Sequence, residues 1–406
     1  MKTLPQINYL FSLLPITPTD NWFQTLNSLT TQFYWKNKKS RISLSTLQNS
    51  KPQGGLEAPN FLYYFLSNQL QYLLKWIHTD QSSPPWLQIE QNHCKTTSLS
   101  DLPFLPQSIK KQDYYNNITV SSTLTAWWKA HEITKSSLAP CRLSPMWHNP
   151  DFQLYNTPVY FPSWQHKGIT HLHHLFENNQ FISFNTLIQK YGVGRDQFLQ
   201  YQQLKSIIKS KINTSNNILQ SSYLSEEIFK ITTPKKIISK MYKLFSLSET
   251  SITLPTTKWE KDLALPPNLD FWIQINKNIF SMTTNTNLQL IQYKTIHRIH
   301  ITQGKMFKMG LISTDICSQC TLGHTDDYLH ATWSCQPVLS FWITVTETLS
   351  CILGCRIPAS PTLCLLGDLT HITIPTKHNN PLLISLTIAK KIIFQNWKSK
   401  HSCHIT

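Results

Sequence analysis

Four side chains within one 19-residue stretch restrict the folding of this chain more tightly than any other feature. Cys317-Ser-Gln-Cys320 and His330-Ala-Thr-Trp-Ser-Cys335 read C-x2-C-x9-H-x4-C. Thiolates and an imidazole are the donors a tetrahedral zinc ion takes, and a C-x2-C pair can grip the ion from one tight turn. The surroundings suit such a loop. Leu311 to Ile316 is a short apolar lead-in, Gly323 permits a turn, and Tyr328, Leu329 and Trp333 can pack around the ion. His324 is a rival fourth ligand, and with it His330 would become a core histidine. The bland alternative is four unrelated residues, the cysteines serving as small hydrophobes. Four protein ligands leave no open position, so a zinc held here would be structural.

Elsewhere the chain reads as mainly α. Only 10 glycines occur in 406 residues, too few for tight-turned β architectures or Gly-rich phosphate loops. Hydrophobic residues make up 40 %, enough for real cores, and the length allows two or three domains. Lysine and arginine outnumber acids 37 to 21, giving a net charge of +16 spread along the chain. A basic, aromatic-rich, folded chain points to nucleic acid, against the plainer reading of a basic surface with no dedicated ligand. No apolar run reaches the roughly 18 residues that span a bilayer, so no membrane partner is expected. Nine cysteines, seven of them after residue 316, do not form a secreted disulfide framework. Pro5, Asn8 and Pro15 interrupt the apolar N-terminal stretch, which argues against a signal peptide. The expected location is intracellular, nucleus or cytoplasm, and not secreted.

Taken in order, residues 20–35 carry apolar side chains at helical spacing, and Lys36, Lys38, Lys39 and Arg41 follow at once. Those cations suit a phosphate backbone, or equally a solvated helix C-terminus. Gly54-Gly55 marks a turn, and Pro59-Asn60 opens an aromatic helix from Phe61 to His78. Its Tyr63, Tyr64, Tyr72 and Trp76 fit a core stripe better than a base-stacking surface. Residues 79–121, rich in Ser, Pro, Gln and Asn, read as a linker. Helical segments are expected at 122–134, 198–212 and 382–400, with Pro-punctuated extended pieces over 138–168. Lys236, Lys240 and Lys243 share one face of a basic helix. In 287–300, Leu288, Ile291, Ile296 and Ile299 are expected inside, with Lys294, His297 and Arg298 outside. Lys390, Lys391, Lys398 and Lys400 would form a basic face on the last helix.

Several stretches, in this order, resemble the second-open-reading-frame protein of vertebrate LINE-type non-LTR retrotransposons. They are Leu4-Pro-Gln-Ile-Asn-Tyr9, Phe33-Tyr-Trp35 with Lys38-Lys-Ser-Arg41, and Gln53-Gly-Gly55-Leu-Glu-Ala-Pro59. Trp147-His-Asn149, Leu187-Ile-Gln-Lys-Tyr191, Trp259-Glu-Lys-Asp262 and Gln292-Tyr-Lys294 follow. Lys308-Met-Gly310 precedes the Cys motif, and Leu365-Leu-Gly367-Asp368 and Asn396-Trp-Lys398 come after it. The shared order and spacing carry the resemblance, which extends over nearly the whole chain.

The resemblance implies four regions. Residues 1–78 would match the polymerase thumb, 79–121 a linker, 122–284 a helical post-polymerase region, and 285–406 a cysteine-rich segment that binds RNA. It favours His330 over His324 and gives Cys317, Cys320, His330 and Cys335 as ligands of a zinc-knuckle-like module. It implies RNA or an RNA–DNA duplex as partner, held by Lys36, Lys38, Lys39 and Arg41, by Lys236, Lys240 and Lys243, and by Lys294, His297 and Arg298. The family's endonuclease and polymerase palm have no counterpart here, so the expected chain is a C-terminal part that does not polymerise alone, with an upstream palm/endonuclease segment as a possible partner. Asp326-Asp327, the one Asp-Asp pair, lies between the zinc ligands without the strand-turn-strand setting of a two-metal site. Two other readings stand beside this one. The chain is a transposon-derived relic or protein-interaction module, or it is an enzyme, though no Ser/His/Asp set or phosphate loop stands out.

Overall fold

The computed structural model describes residues 3–78, 84–94, 97–111, 113–138, 140–178, 180–211, 223–232, 235–248, 255–320 and 322–396. These residues are mainly helical, with a small Cys/His module near the C-terminus. Two short antiparallel pairs, Gln153–Leu154 with Thr157–Pro158 and Phe176–Glu177 with Gln180–Phe181, are the strands among them. The chain divides into two units. The first is Met1–Ser28 with Asn60–Glu249, and the second is Leu29–Pro59 with Thr250–Thr406. This differs from the four consecutive regions expected above, because each unit draws on two separated stretches.

The first unit is built on the helix Phe61–Ile77. Asn60 starts it by accepting the Tyr63 N–H at 3.2 Å, the side-chain cap that Pro59-Asn60 led one to expect. The helix buries residues on nearly every side, with Leu66, Leu70, Leu73 and Trp76 fully enclosed. The helices Thr3–Leu13, Ile118–Ile133 and Ile237–Ser248 pack on it. Tyr63 and Trp76 are therefore core, and the Trp76 indole donates to Glu90 at 2.9 Å. The linker expectation for 79–121 fails over the residues described there. Leu87, Leu99, Leu102, Leu105 and Ile109 are buried in this core, and Trp127 donates its indole N–H to the Pro103 carbonyl at 2.8 Å. Polar composition hid sparse apolar anchors carried by the helix Pro85–His93 and short 3-10 turns.

A second core in this unit gathers Met146, Phe152, Trp164, Leu187 and Tyr201. The Pro-rich stretch supplies its walls in short pieces, as expected. Each buried indole and phenol finds a carbonyl or amide: Trp147 donates to Ile169, Trp164 to Gln197, and Tyr201 to Ile182. The Asn-, Ser- and Gln-rich residues 213–222 lie outside the described residues.

In the second unit the turn around Gly54 and Gly55 is held from two helices. Tyr293 and His297, on and just beyond the helix Thr286–Ile296, donate to the Gly54 carbonyl at 3.1 and 2.9 Å. Asn276, on the helix Leu269–Ser281, donates to the Pro52 carbonyl at 3.1 Å. Gly54 sits at φ +83°, and a Cβ at Gly55 would stand 1.9 Å from the Asn49 carbonyl oxygen. The chain can close this tightly only with glycine at both positions. Trp259, Trp272 and Trp342 fill the core, together with the helices Gln336–Leu353 and Thr376–Gln395. The last helix starts earlier than expected and holds Pro381 inside it, where proline removes the backbone bond to the Lys377 carbonyl. Of the expected basic face, Lys391 is exposed but Lys390 is buried, its ammonium taken up by the Cys364 and Leu365 carbonyls, and Lys398 and Lys400 lie outside the described residues.

Candidate metal centre

The segment from Asp315 to Cys335 folds back on itself by a small set of polar contacts. Cys317 N–H donates to the His324 carbonyl at 2.9 Å, and Asp326 N–H donates to the Asp315 carbonyl at 2.8 Å. Ile316 and Thr325 form an isolated antiparallel bridge between these two pairs. In the C-x2-C turn, Gln319 N–H points at the Cys317 sulfur at 3.4 Å. The other half is a π-helical turn, His330–Ser334. Its closing bond runs from Cys335 N–H to the His330 carbonyl, at 2.9 Å, and so ties two ligand residues by their backbones. Trp342 donates its indole to the Thr332 carbonyl at 3.0 Å, fixing this turn to the following helix.

These contacts bring Cys317, Cys320, His330 and Cys335 together with their ligand atoms all within 4.8 Å of one another. Among the described residues this is the one such cluster that could hold a metal ion. Two edges stand out: Cys317 Sγ to Cys335 Sγ is 3.8 Å, and Cys320 Sγ to His330 Nε2 is 3.5 Å. A tetrahedral ion with metal–sulfur bonds of ~2.3 Å and a metal–nitrogen bond of ~2.0 Å has edges of ~3.8 and ~3.5 Å. The four donors therefore fit the space around one ion, and Cys317 and Cys335 are free thiols. His324 is exposed and outside the cluster, which resolves the choice of imidazole in favour of His330.

The electrostatics agree with the geometry. Burial raises the Cys317 thiol, opposed by N–H donors from Gln319 and Cys320. Burial also raises Cys335, and the neighbouring Cys317 and Cys320 sulfurs add to the shift. Cys317 and Cys335, with their sulfurs 3.8 Å apart, resist ionising together unless a cation joins them.

Asp326 and Asp327 have local hydrogen-bonding duties and no two-metal geometry. Asp326 accepts the Gln303 N–H at 2.6 Å, and its carbonyl accepts the Gly304 N–H at 3.1 Å. Asp327 accepts the His330 N–H at 2.7 Å and so orients the residue that carries the imidazole. Gln303 donates to Ser318 at 2.6 Å, bracing the C-x2-C turn. The sequence reading missed these supports. An Asp three residues before His330, at capping distance, was the available signal for one of them.

The expected nucleic-acid residues divide. Lys36, Lys38, Lys39 and Arg41 are exposed, just past the helix Asp20–Trp35. Arg41 donates to the Ile299 carbonyl at 3.3 Å. In the first unit Lys236, Lys240 and Lys243 are exposed, but Lys236 precedes the helix Ile237–Ser248 at φ +61°, so the three do not share one helix face as expected. Lys294 is half-buried. His297 and Arg298 are corrections. The His297 ring is hydrogen-bonded to Gly54, and burial pushes its pKa down to about 4, so it is neutral. The Arg298 guanidinium lies 3.9 Å from the Trp259 ring centroid and 2.6 Å from Asp262, with 12 % of the side chain exposed. The helix ends at Ile296 and Arg298 takes φ +49°, so helical spacing no longer sets its direction. Both side chains are internal ties.

No known protein-family model matches the chain. No helix among the described residues is long and apolar enough to cross a membrane.

Proposed function

We propose that this chain is a nucleic-acid-binding part of a LINE-type retrotransposon reverse transcriptase, and that its Cys/His module holds zinc. The observation that carries the reading is the assembly of Cys317, Cys320, His330 and Cys335 with zinc-sized edges at the place where the resemblance puts the family's Cys motif. Zinc suits the donor set, because three thiolates and one imidazole in a closed tetrahedron favour it over magnesium or calcium. Its role is structural: it would hold residues 317–335 so that neighbouring side chains present a fixed surface.

RNA, or an RNA–DNA duplex, is the partner. The net charge of +16 and the exposed Lys36, Lys38, Lys39 and Arg41 support this, with Lys236, Lys240 and Lys243 as a second basic set. Such contacts act through counterion release, so affinity falls steeply with salt. Binding of the zinc-loaded chain to labelled single-stranded RNA and to a primed RNA template is measured from low to high salt. Affinity that is weak at low salt, or flat across the series, removes this reading.

A protein-interaction module is the second reading. It draws on exposed Tyr9, Leu10, Leu13 and Leu14 on and just beyond the helix Thr3–Leu13, an apolar set of the kind partners cover. Salt-insensitive RNA binding together with self-association relieved by Leu10→Ser would favour it.

A further inference from the structure

Beside the metal loop, within the second unit, lies a cavity of about 620 Å³. That is the size of a small-ligand site. Cys317, Ser318, Gln319 and Cys335 form one wall, so the metal loop shapes it directly. Met306, Leu311, Val338 and Ile393 give an apolar lining, and Gln303, Gln319, Gln395 and Asn396 add carboxamides. His300 and Phe394 also line the cavity, and their rings are stacked, 3.6 Å between centroids and 9° from parallel.

Arg41 completes the lining. Its guanidinium has five N–H donors, and its Nη1 is the atom that reaches the Ile299 carbonyl. The side chain is exposed, so an incoming anion can reach it. Burial lowers the His300 pKa to about 4, and Lys294 and Arg41 act in the same direction, so the imidazole is neutral. The carboxylate on the wall, Asp326, already accepts the Gln303 N–H.

A ligand for this cavity needs a flat apolar body, an edge rich in donors and acceptors, and an anionic group. An unpaired nucleotide has all three. Its base can lie against the apolar wall and the His300–Phe394 pair, its base edge can meet carboxamides, and its phosphate can meet Arg41. We infer that this cavity binds one unpaired nucleotide of a nucleic-acid strand, with Arg41 on the phosphate. The inference rests on the nucleic-acid reading above and gives that reading a specific site.

The test uses the zinc-loaded full chain. Nucleoside 5′-monophosphates, uridine and inorganic phosphate are titrated against it, and each competes with labelled single-stranded RNA. Arg41→Gln removes the cation, and Leu311→Trp, at a position 67 % exposed, narrows the entrance without touching the core. A monophosphate should bind saturably and more tightly than uridine or phosphate alone. Its affinity should fall by roughly tenfold in Arg41→Gln, as for a charge-assisted bond, and should fall again in Leu311→Trp. Nucleotide binding that is absent, or that neither variant changes, overturns the cavity assignment, and retained salt-sensitive RNA binding would leave the wider reading intact. Nucleotide binding with the Arg41 dependence but no RNA binding does the reverse. Loss of both overturns both.

Discussion

In the helix Phe61–Ile77, Leu66, Leu70 and Leu73 have no exposed surface, and the chain around them is held by apolar area and indole hydrogen bonds. Over residues 317–335 the buried groups include Cys317, Asp326, His330, Thr332 and Cys335 instead. Tyr328 and the partly buried Leu329 and Trp333 tie that loop to the second unit's core, and its three sulfurs and imidazole lie within 4.8 Å of one another. The first region folds because water rejects its side chains, whereas the second gathers four donor groups that could hold a metal ion, and on the zinc proposal its order depends on that ion. Order in the two regions should therefore respond to different perturbations.

The largest effect expected is on the loop. Chelation, or Cys335→Ser, should abolish zinc retention and strip hydrogen-exchange protection from residues 317–335, while protection in Phe61–Ile77 stays as it was. A loop that keeps its protection without metal would erase the contrast. The converse comes next in size. Leu66→Ala should cost about 3 kcal/mol of stability in the first unit, read from denaturant unfolding, with zinc content unchanged. Arg298→Ala should destabilise the second unit by about 2 kcal/mol, because it leaves Asp262 unpaired and uncovers the Trp259 face. RNA affinity should hardly move in that variant, whereas Lys38→Gln with Lys39→Gln should weaken RNA binding and leave stability alone. An Arg298 variant that loses RNA affinity at full stability would restore it to the binding surface.

Stability should also depend on pH through Lys390. Its ammonium is buried against the π-helical turn Thr362–Leu366 and donates to the Cys364 and Leu365 carbonyls at 3.0 and 3.3 Å. Burial pushes its pKa down to about 7, against an ordinary lysine value of about 10.4. Between those values the unfolded chain holds a proton that the folded chain does not. Stability from this group is thus complete above the unfolded value and is lost as pH falls toward 7, by up to about 1.4 kcal/mol per pH unit. Lys390→Met should lack that slope. The stability difference between wild type and variant, followed by denaturant unfolding over this window, should grow in favour of wild type as pH rises, and a constant difference would contradict it.

What could be read beforehand follows the same division. Asn60 ahead of an aromatic run announces a helix start, since a cap acts on backbone two or three residues away. The Cys/His spacing announces its cluster for a similar reason, because ligand reach is short. Arg298 was illegible because one left-handed residue after Ile296 breaks the helical period, and its partners Asp262 and Trp259 lie more than thirty residues away in sequence. The anchors within 79–121 were hidden for another reason. Single leucines in polar sequence reveal burial only once Trp127 and the helix Phe61–Ile77 exist to receive them. The pairing of Gly54 with Tyr293 and His297 is likewise a long-range fact, although the need for glycine in that turn was local.

The central claim is that Cys317, Cys320, His330 and Cys335 form one closed structural zinc centre. X-ray absorption at the zinc edge on the purified full chain tests it most directly. The account predicts one tightly held equivalent with a first shell of three sulfurs at ~2.3 Å and one nitrogen at ~2.0 Å. A chain that retains no zinc, or a shell dominated by oxygen and nitrogen, would contradict it.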